Sequence, residues 1–135
     1  MLIVGTNTWA TLAEANAYLA TRYGASAWAA LPDATKEALL ITAYNLLRLQ
    51  AGYSIPAVST SALLKSAQCE TAWFWYQHGD DWEKRAGLYA AGVRSFGVMS
   101  FTEDLAKPEL PVYIKDMLNG FYVGANYLSR VTRDY

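Results

Sequence analysis

The chain has 135 residues, of which 53% are hydrophobic and only 17% carry a charge. Charged residues make up about 25% of an average soluble protein, so we expect part of this apolar surface to face a partner. Eleven basic and twelve acidic side chains leave a net charge of −1, which excludes a global field that attracts nucleic-acid phosphates. The length fits one domain over residues 1–135.

Cysteine content and hydropathy indicate in which cellular compartment the protein is expected. Cys69 is the single cysteine, so no intramolecular disulfide is possible, and the first basic residue is Arg22, so the charged start of a secretory signal is missing. We therefore expect an intracellular protein. The strongest uncharged apolar run covers residues 38–47, whereas a membrane span needs about 20 residues, so we expect no membrane segment.

The first predicted helix follows an extended, apolar start at residues 1–10. Thr11 is placed as its N-cap, and Glu14 is the partner that completes a capping box. Apolar residues then recur at helical spacing over residues 12–23. Gly24 is suited to end this helix, because glycine tolerates the left-handed conformation of a C-cap.

Two more helices are predicted before residue 80. The corner "SAWAALPD" precedes the second, for which Asp33 is the expected N-cap and which carries a broad leucine stripe. Ser59 or Thr60 is the expected N-cap of the third. This third helix is predicted to reach His78 and to be stopped by Gly79.

The pattern changes after the third helix. The stretch "GLYAAGVRSFGVMSF" has a glycine every five residues and many β-branched and aromatic residues, which is typical of a β-hairpin. A fourth helix follows, with Tyr113, Ile114, Met117, Leu118 and Phe121 on one side. The prediction is a mainly α fold, a small bundle of about four helices with a hairpin between the third and fourth: three helices in 11–78, the hairpin in 86–102, a helix in 110–123 and a C-terminal arm in 124–135.

The stretch "WFWYQHGDDW", residues 73–82, holds the only histidine of the chain. A zinc site needs three or four ligands, so His78 with Asp80, Asp81 and the nearby Glu83 makes at most a weak one. His78 is more simply a residue in the last turn of a helix, and Cys69 lies 180° from it on a helical wheel, which removes a Cys-His pair. No phosphate-binding glycine motif is present. We predict no enzyme, no cofactor and no metal site.

The aromatic residues of this stretch divide between two faces of the third helix. Phe74 and Trp75 are predicted to face inward. Trp73 and Tyr76 share the other face with Cys69, which is most simply a small buried hydrophobe. Core packing, subunit contact and base stacking all remain open for this second face.

Four motifs, in their order along the chain, resemble the small head-tail connector proteins (adaptor or head-completion proteins) of tailed bacteriophages. They are "GTNTWATLAEANAYL", the Trp28 corner followed by "DATKEALLITA", the "IPxxV" entry to the third helix, and a hairpin before an "LPxxI" helix. Related sequences are often labelled DnaT-like single-stranded-DNA-binding proteins. The motifs are packing and capping patterns and include no catalytic signature.

The resemblance implies a structural virion protein, present in the host cytoplasm during assembly and then at the neck. Such subunits form a ring, commonly of about twelve copies, between the portal and a downstream neck or tail-terminator protein, around a channel for double-stranded DNA. The alternative is a single-stranded-DNA-binding module of the DnaT-like type. Expected partner or subunit contacts are Trp73, Tyr76, Arg94, Phe96, Tyr127, Leu128, Arg130, Val131, Arg133 and Tyr135, although the tail has the alternative of packing on its own subunit.

Overall fold

A computed structural model describes residues 1–50, 52–90, 95–96, 99–100 and 110–123. This part of the chain is mainly helical, as predicted. Its α-helices are α1 (Leu12–Ala20), α2 (Ala25–Ala29), α3 (Asp33–Arg48), α4 (Ala62–Ala90) and α5 (Val112–Met117). A 3₁₀ turn (Asn119–Phe121) follows α5, and two short strands, β1 (Ser95–Phe96) and β2 (Met99–Ser100), lie between α4 and α5.

The start of α1 confirms the predicted capping box. The Thr11 hydroxyl accepts a hydrogen bond from the Glu14 backbone N–H, and the Glu14 carboxylate accepts one from the Thr11 N–H. The helix ends at Ala20, before the predicted end at Tyr23. Thr21 is its C-cap, and the Thr21 hydroxyl donates a hydrogen bond to the Tyr18 carbonyl in the last turn. Gly24 then takes the left-handed conformation, with φ of 90°, and begins α2.

The two longest helices, α3 and α4, pack against each other and make the most extensive contact between elements in the described part of the chain. Apolar side chains pack on both sides of this pair. One cluster joins α3 and α4 to α5 and contains Trp9, Tyr44, Leu47, Ile55, Leu64, Ala67, Leu110, Ile114 and Leu118. The other joins them to α1 and α2 and contains Ala10, Ala15, Leu19, Trp28, Leu40, Ala43, Cys69, Ala72 and Trp73.

The predicted fourth helix, residues 110–123, is shorter than expected. It consists of α5, which Pro111 precedes as N-cap, and the 3₁₀ turn after it. Ile114 and Leu118 are fully buried, as the helical pattern predicted. Tyr113, assigned to the same face, is 44% exposed, because only a narrow stripe of so short a helix faces α4.

The predicted end of the third helix is wrong, since α4 continues through His78 and Gly79 to Ala90. A Cβ atom on Gly79 would lie 2.8 Å from the Trp75 indole, so the glycine leaves space for that ring along the helix. Trp75 therefore covers its own helix rather than facing inward as predicted. Asp80 also precedes Lys84 by four residues, a spacing that favours helix. The fit of Trp75 over Gly79 and this charge spacing outweigh the turn tendency of the sequence.

The structure does not support a hairpin over the predicted residues 86–102. Residues 86–90 belong to α4. Beyond them, the described residues contain only a minimal antiparallel pairing of Ser95 with Ser100 and Phe96 with Met99. The predicted tail, residues 124–135, lies outside the described residues.

Candidate functional site

Gln68, in the middle of α4, is fully buried and uses both ends of its amide. Its Oε1 accepts hydrogen bonds from the backbone N–H groups of Trp9 and Ala10, both at 3.0 Å. Its Nε2 donates to the Thr8 hydroxyl at 2.7 Å and to the Leu40 carbonyl at 2.9 Å. One side chain thus joins the N-terminal segment to α3 and α4.

Sequence reasoning missed Gln68. The only available signal was a polar residue at helical spacing from Leu64 and Ala72 on an otherwise apolar face, which the leucine and aromatic patterns hid. Within the described residues, every buried side-chain nitrogen and oxygen has a hydrogen-bond partner. Buried polar groups that are paired in this way specify one arrangement of the chain.

The segment before Trp9 folds into a tight loop that holds apolar side chains in solvent. The Asn7 side chain accepts a hydrogen bond from the Ile3 N–H at 2.8 Å, and Gly5 has φ of 85°. Ile3 and Val4 are about half exposed. A Cβ atom on Gly5 would lie 3.3 Å from Val58, which places that exposed residue beside the loop. We call Ile3, Val4 and Val58 the N-terminal surface.

Glu70 of α4 is a buried carboxylate with two partners from the end of α1. The Arg22 Nε donates to both carboxylate oxygens, at 2.7 and 2.8 Å, and the Tyr18 hydroxyl donates to one of them at 2.8 Å. Burial, and then the hydrogen bond to Glu70, raise the pKa of the Tyr18 hydroxyl. This geometry makes the carboxylate a structural link between helices.

Exposed tyrosines lie beside Arg22 and beside the Trp73 ring that Arg22 approaches. Its Nη2 donates a long hydrogen bond of 3.4 Å to the Tyr113 hydroxyl, and its Cζ lies 5.9 Å from the centre of the Trp73 ring. The Tyr76 ring packs against Trp73 with centroids 5.6 Å apart. Tyr23, next to Arg22 in sequence, is 96% exposed. We call Tyr23, Tyr76, Val112 and Tyr113 the tyrosine surface.

Trp73 itself is not available to a partner, so its assignment to a subunit contact is wrong. It is only 5% exposed and belongs to the cluster between α1, α2 and α4. The helical wheel correctly separated two faces of α4, but the chain's own α1–α2 corner covers the one that carries Trp73. Tyr76, at 44% exposure, stays available at the edge of that corner.

The remaining predicted contacts are not placed by the structure. Phe96 belongs to β1, but its side chain lies outside the described residues. Also outside them are Arg94, Tyr127, Leu128, Arg130, Val131, Arg133 and Tyr135.

His78 was predicted at a helix end, but it lies inside α4 and is exposed. Its ring packs on Phe74 with centroids 5.0 Å apart. Phe74 packs partly against the core, in agreement with its predicted inward position. Cys69 is buried as expected, and burial, with the charges of Glu70 and Glu14, raises the pKa of its thiol to about 12. Thiolate chemistry is therefore suppressed at neutral pH.

Two kinds of feature are absent from the described ranges of the chain. No group of three or more His, Cys, Asp or Glu side chains is arranged there to hold a metal ion. None of the helices in those ranges combines the length and the apolar character that crossing a membrane requires.

The N-terminal surface and the tyrosine surface draw their residues from different parts of the chain. Val58 lies before the start of α4, whereas Tyr76 lies inside that helix. Tyr76 itself lies about 20 Å along the helix axis from Ala62, at 1.5 Å per residue.

Comparison of the chain with protein-family models, with curated proteins and with solved structures gave no match.

Proposed function

We propose that this chain is a structural subunit of the head-tail connector of a tailed bacteriophage, and that it forms a ring between the portal and the neck or tail-terminator protein, at the virion neck. The observation that carries the proposal is that the described helical bundle exposes two different groups of apolar side chains, the N-terminal surface and the tyrosine surface. A ring of identical subunits needs a heterologous contact, in which two unlike surfaces of each copy meet. The resemblance of the motif order to connector proteins gives the same assignment.

The size of the tyrosine surface supports a subunit contact. Its three tyrosines and Val112 are between 44% and 96% exposed. An aromatic side chain has roughly 150–250 Å² of surface, so the four together offer on the order of 400–500 Å², about half of what one partner buries in a standard interface. We assign the rest to residues of the segment between α4 and α5 and of the C-terminal arm, namely Arg94, Phe96, Tyr127, Leu128, Arg130, Val131, Arg133 and Tyr135.

The charge of the chain also fits a channel subunit. Its eleven basic and twelve acidic side chains nearly cancel. Each phosphate contact made by a lysine or arginine adds affinity for DNA, so a near-neutral subunit lets packaged double-stranded DNA pass without strong binding.

Co-sedimentation with the portal protein encoded in the same genome tests this function. Wild-type protein is expected to sediment with the portal in near-equal copy number. Tyr23→Glu, which puts a charge on the tyrosine surface, is expected to abolish this ring. Leu49→Glu is the matched control, because Leu49 is 80% exposed and lies outside both surfaces. Wild-type protein that never sediments with the portal would contradict the proposal.

A single-stranded-DNA-binding module is the second candidate, and exposed tyrosines around Arg22 are the observation that favours it. Aromatic rings with a nearby cation form the usual stacking platform for single strands. Against it, the Arg22 guanidinium already binds Glu70 through Nε.

Fluorescence anisotropy with a labelled oligothymidine separates the two candidates. Micromolar or tighter binding that weakens steeply between 50 and 200 mM salt, on the order of the loss typical for phosphate contacts, would favour the DNA-binding module. Tyr23→Ala and Tyr76→Ala should then weaken that binding. We expect no such binding.

A further inference from the structure

The segment Thr8–Ala10, which we call the N-terminal strap, lies in a groove formed by α3, α4 and the loop before α4 that contains Pro56. All three of its residues are buried, and Trp9 is only 1% exposed. We propose that this groove is a peptide-binding site for a Thr-Trp-Ala segment, and that the chain's own strap occupies it in cis. The inference goes beyond the proposed function and does not depend on it.

One side chain of α4 recognises the backbone of the strap. The Gln68 Oε1 accepts hydrogen bonds from the N–H groups of both Trp9 and Ala10, and its Nε2 donates to the Thr8 hydroxyl. The same Nε2 donates to the Leu40 carbonyl, which orients the amide against α3. In peptide recognition, hydrogen bonds to the main chain give affinity and the contacts of side chains give sequence preference. Gln68 supplies the first of these.

The Trp9 indole is the anchor that supplies the second. Its ring packs on the Tyr44 ring with centroids 4.4 Å apart, and its Nε1 donates to the Pro56 carbonyl at 3.0 Å. The Tyr44 hydroxyl holds the next residue of the same loop, since it donates to the Ala57 carbonyl at 2.9 Å. Binding sites are commonly dominated by a buried aromatic anchor whose N–H has a partner.

The contacts of the strap allow it to leave the groove without unwinding a helix. Among the residues that the structure describes, no backbone–backbone hydrogen bond joins the strap to α3, α4 or the Pro56 loop. The strap is held there by hydrogen bonds that involve side chains and by apolar packing, as a bound peptide is. The groove therefore has the contacts of a binding site with its ligand attached at Thr11.

Hydrogen exchange of the wild-type protein tests whether the strap opens by itself. The N–H groups of Trp9 and Ala10 are expected to exchange at least about 10-fold faster than those of Ala43 and Ala72, which are buried inside α3 and α4. Equal rates at all four positions would mean that the strap opens only when the whole protein unfolds, and would overturn the proposal.

A labelled peptide with the sequence of residues 6–11, TNTWAT, tests recognition in trans. Fluorescence anisotropy follows its binding to the full-length Trp9→Ala variant, whose own strap lacks the anchor. We expect saturable binding that is at least about 10-fold tighter than binding to wild type, because the wild-type strap competes at a high effective concentration. Equal binding to the two proteins would contradict self-occupation of the groove.

The matched control is the same peptide methylated on the backbone nitrogens of Trp9 and Ala10. It keeps the indole but has no N–H to donate to Gln68, so it is expected to lose binding. Equal binding of the methylated peptide, or no binding of the unmodified peptide to the folded variant, would overturn the proposal. If Trp9→Ala does not fold, Trp9→Leu takes its place, and the wild-type exchange rates decide independently.

Discussion

The Trp73 indole lies so close to Gly24 that a Cβ atom on the glycine would come within 2.7 Å of the ring. Gly24 also has φ of 90°, a conformation that other residues adopt only with strain. This contact seats α4 in the corner between α1 and α2. We expect Gly24→Ala to lower the free energy of unfolding by about 2–4 kcal/mol in urea denaturation, from strain and overpacking together.

Gly120→Ala is the control for that change. Nothing lies within 4 Å of the position that its Cβ would take, and its φ is not positive. Its effect should stay within about 0.5 kcal/mol. Equal effects of the two substitutions would show that the Trp73 contact does not hold the corner.

Gln68→Leu should be among the most destabilising single changes in the described part of the chain. It keeps the size and helix propensity of the side chain but removes the acceptor of two buried backbone N–H groups, those of Trp9 and Ala10. An unsatisfied buried group costs about 1–3 kcal/mol, so we expect a loss of about 3–5 kcal/mol in urea denaturation. Gln77→Leu, on an exposed position of the same helix, should change stability by less than about 0.5 kcal/mol.

Two glycines of α4 should respond differently to the same substitution. A Cβ on Gly87 meets nothing within 4 Å, so Gly87→Ala should stabilise the protein by up to about 1 kcal/mol through helix propensity. A Cβ on Gly79 would lie 2.8 Å from the Trp75 indole, which must then move. We expect Gly79→Ala to be at least about 1 kcal/mol less stable than Gly87→Ala in thermal or urea unfolding. Equal gains at both sites would argue against the Trp75 packing.

The partly buried Tyr18 hydroxyl predicts a loss of stability at alkaline pH. Burial and the hydrogen bond to Glu70 raise its pKa in the folded state above the value of about 10 that tyrosine has in the unfolded chain. Its contribution is therefore complete below pH 10 and is lost as the pH rises toward the folded-state pKa. Urea unfolding should show wild type losing stability relative to Tyr18→Phe above pH 10. A constant difference from pH 8 to 11 would contradict this.

Local signals predicted the first N-cap and the order of the long helices, but not the end of α4 or the extent of the strands. The capping box of Thr11 and Glu14 needs only residues three apart, and the order of helices follows from apolar spacing. The packing of residues that are distant in sequence could not be predicted from local patterns. A helical wheel separates the faces of α4 but does not say that the corner at Gly24 covers Trp73. Likewise, Gln68 has partners 28 to 60 residues away in sequence, and no local pattern identifies them.

Negative-stain imaging of the protein with its portal tests the connector function most directly. The proposal predicts a ring of density on the tail-proximal face of the portal, with the same rotational symmetry as the portal or a simple multiple of it. It also predicts that Tyr23→Glu removes this ring while Leu49→Glu keeps it. Portal particles without added density, with the wild-type protein left as a monomer, would contradict the assignment.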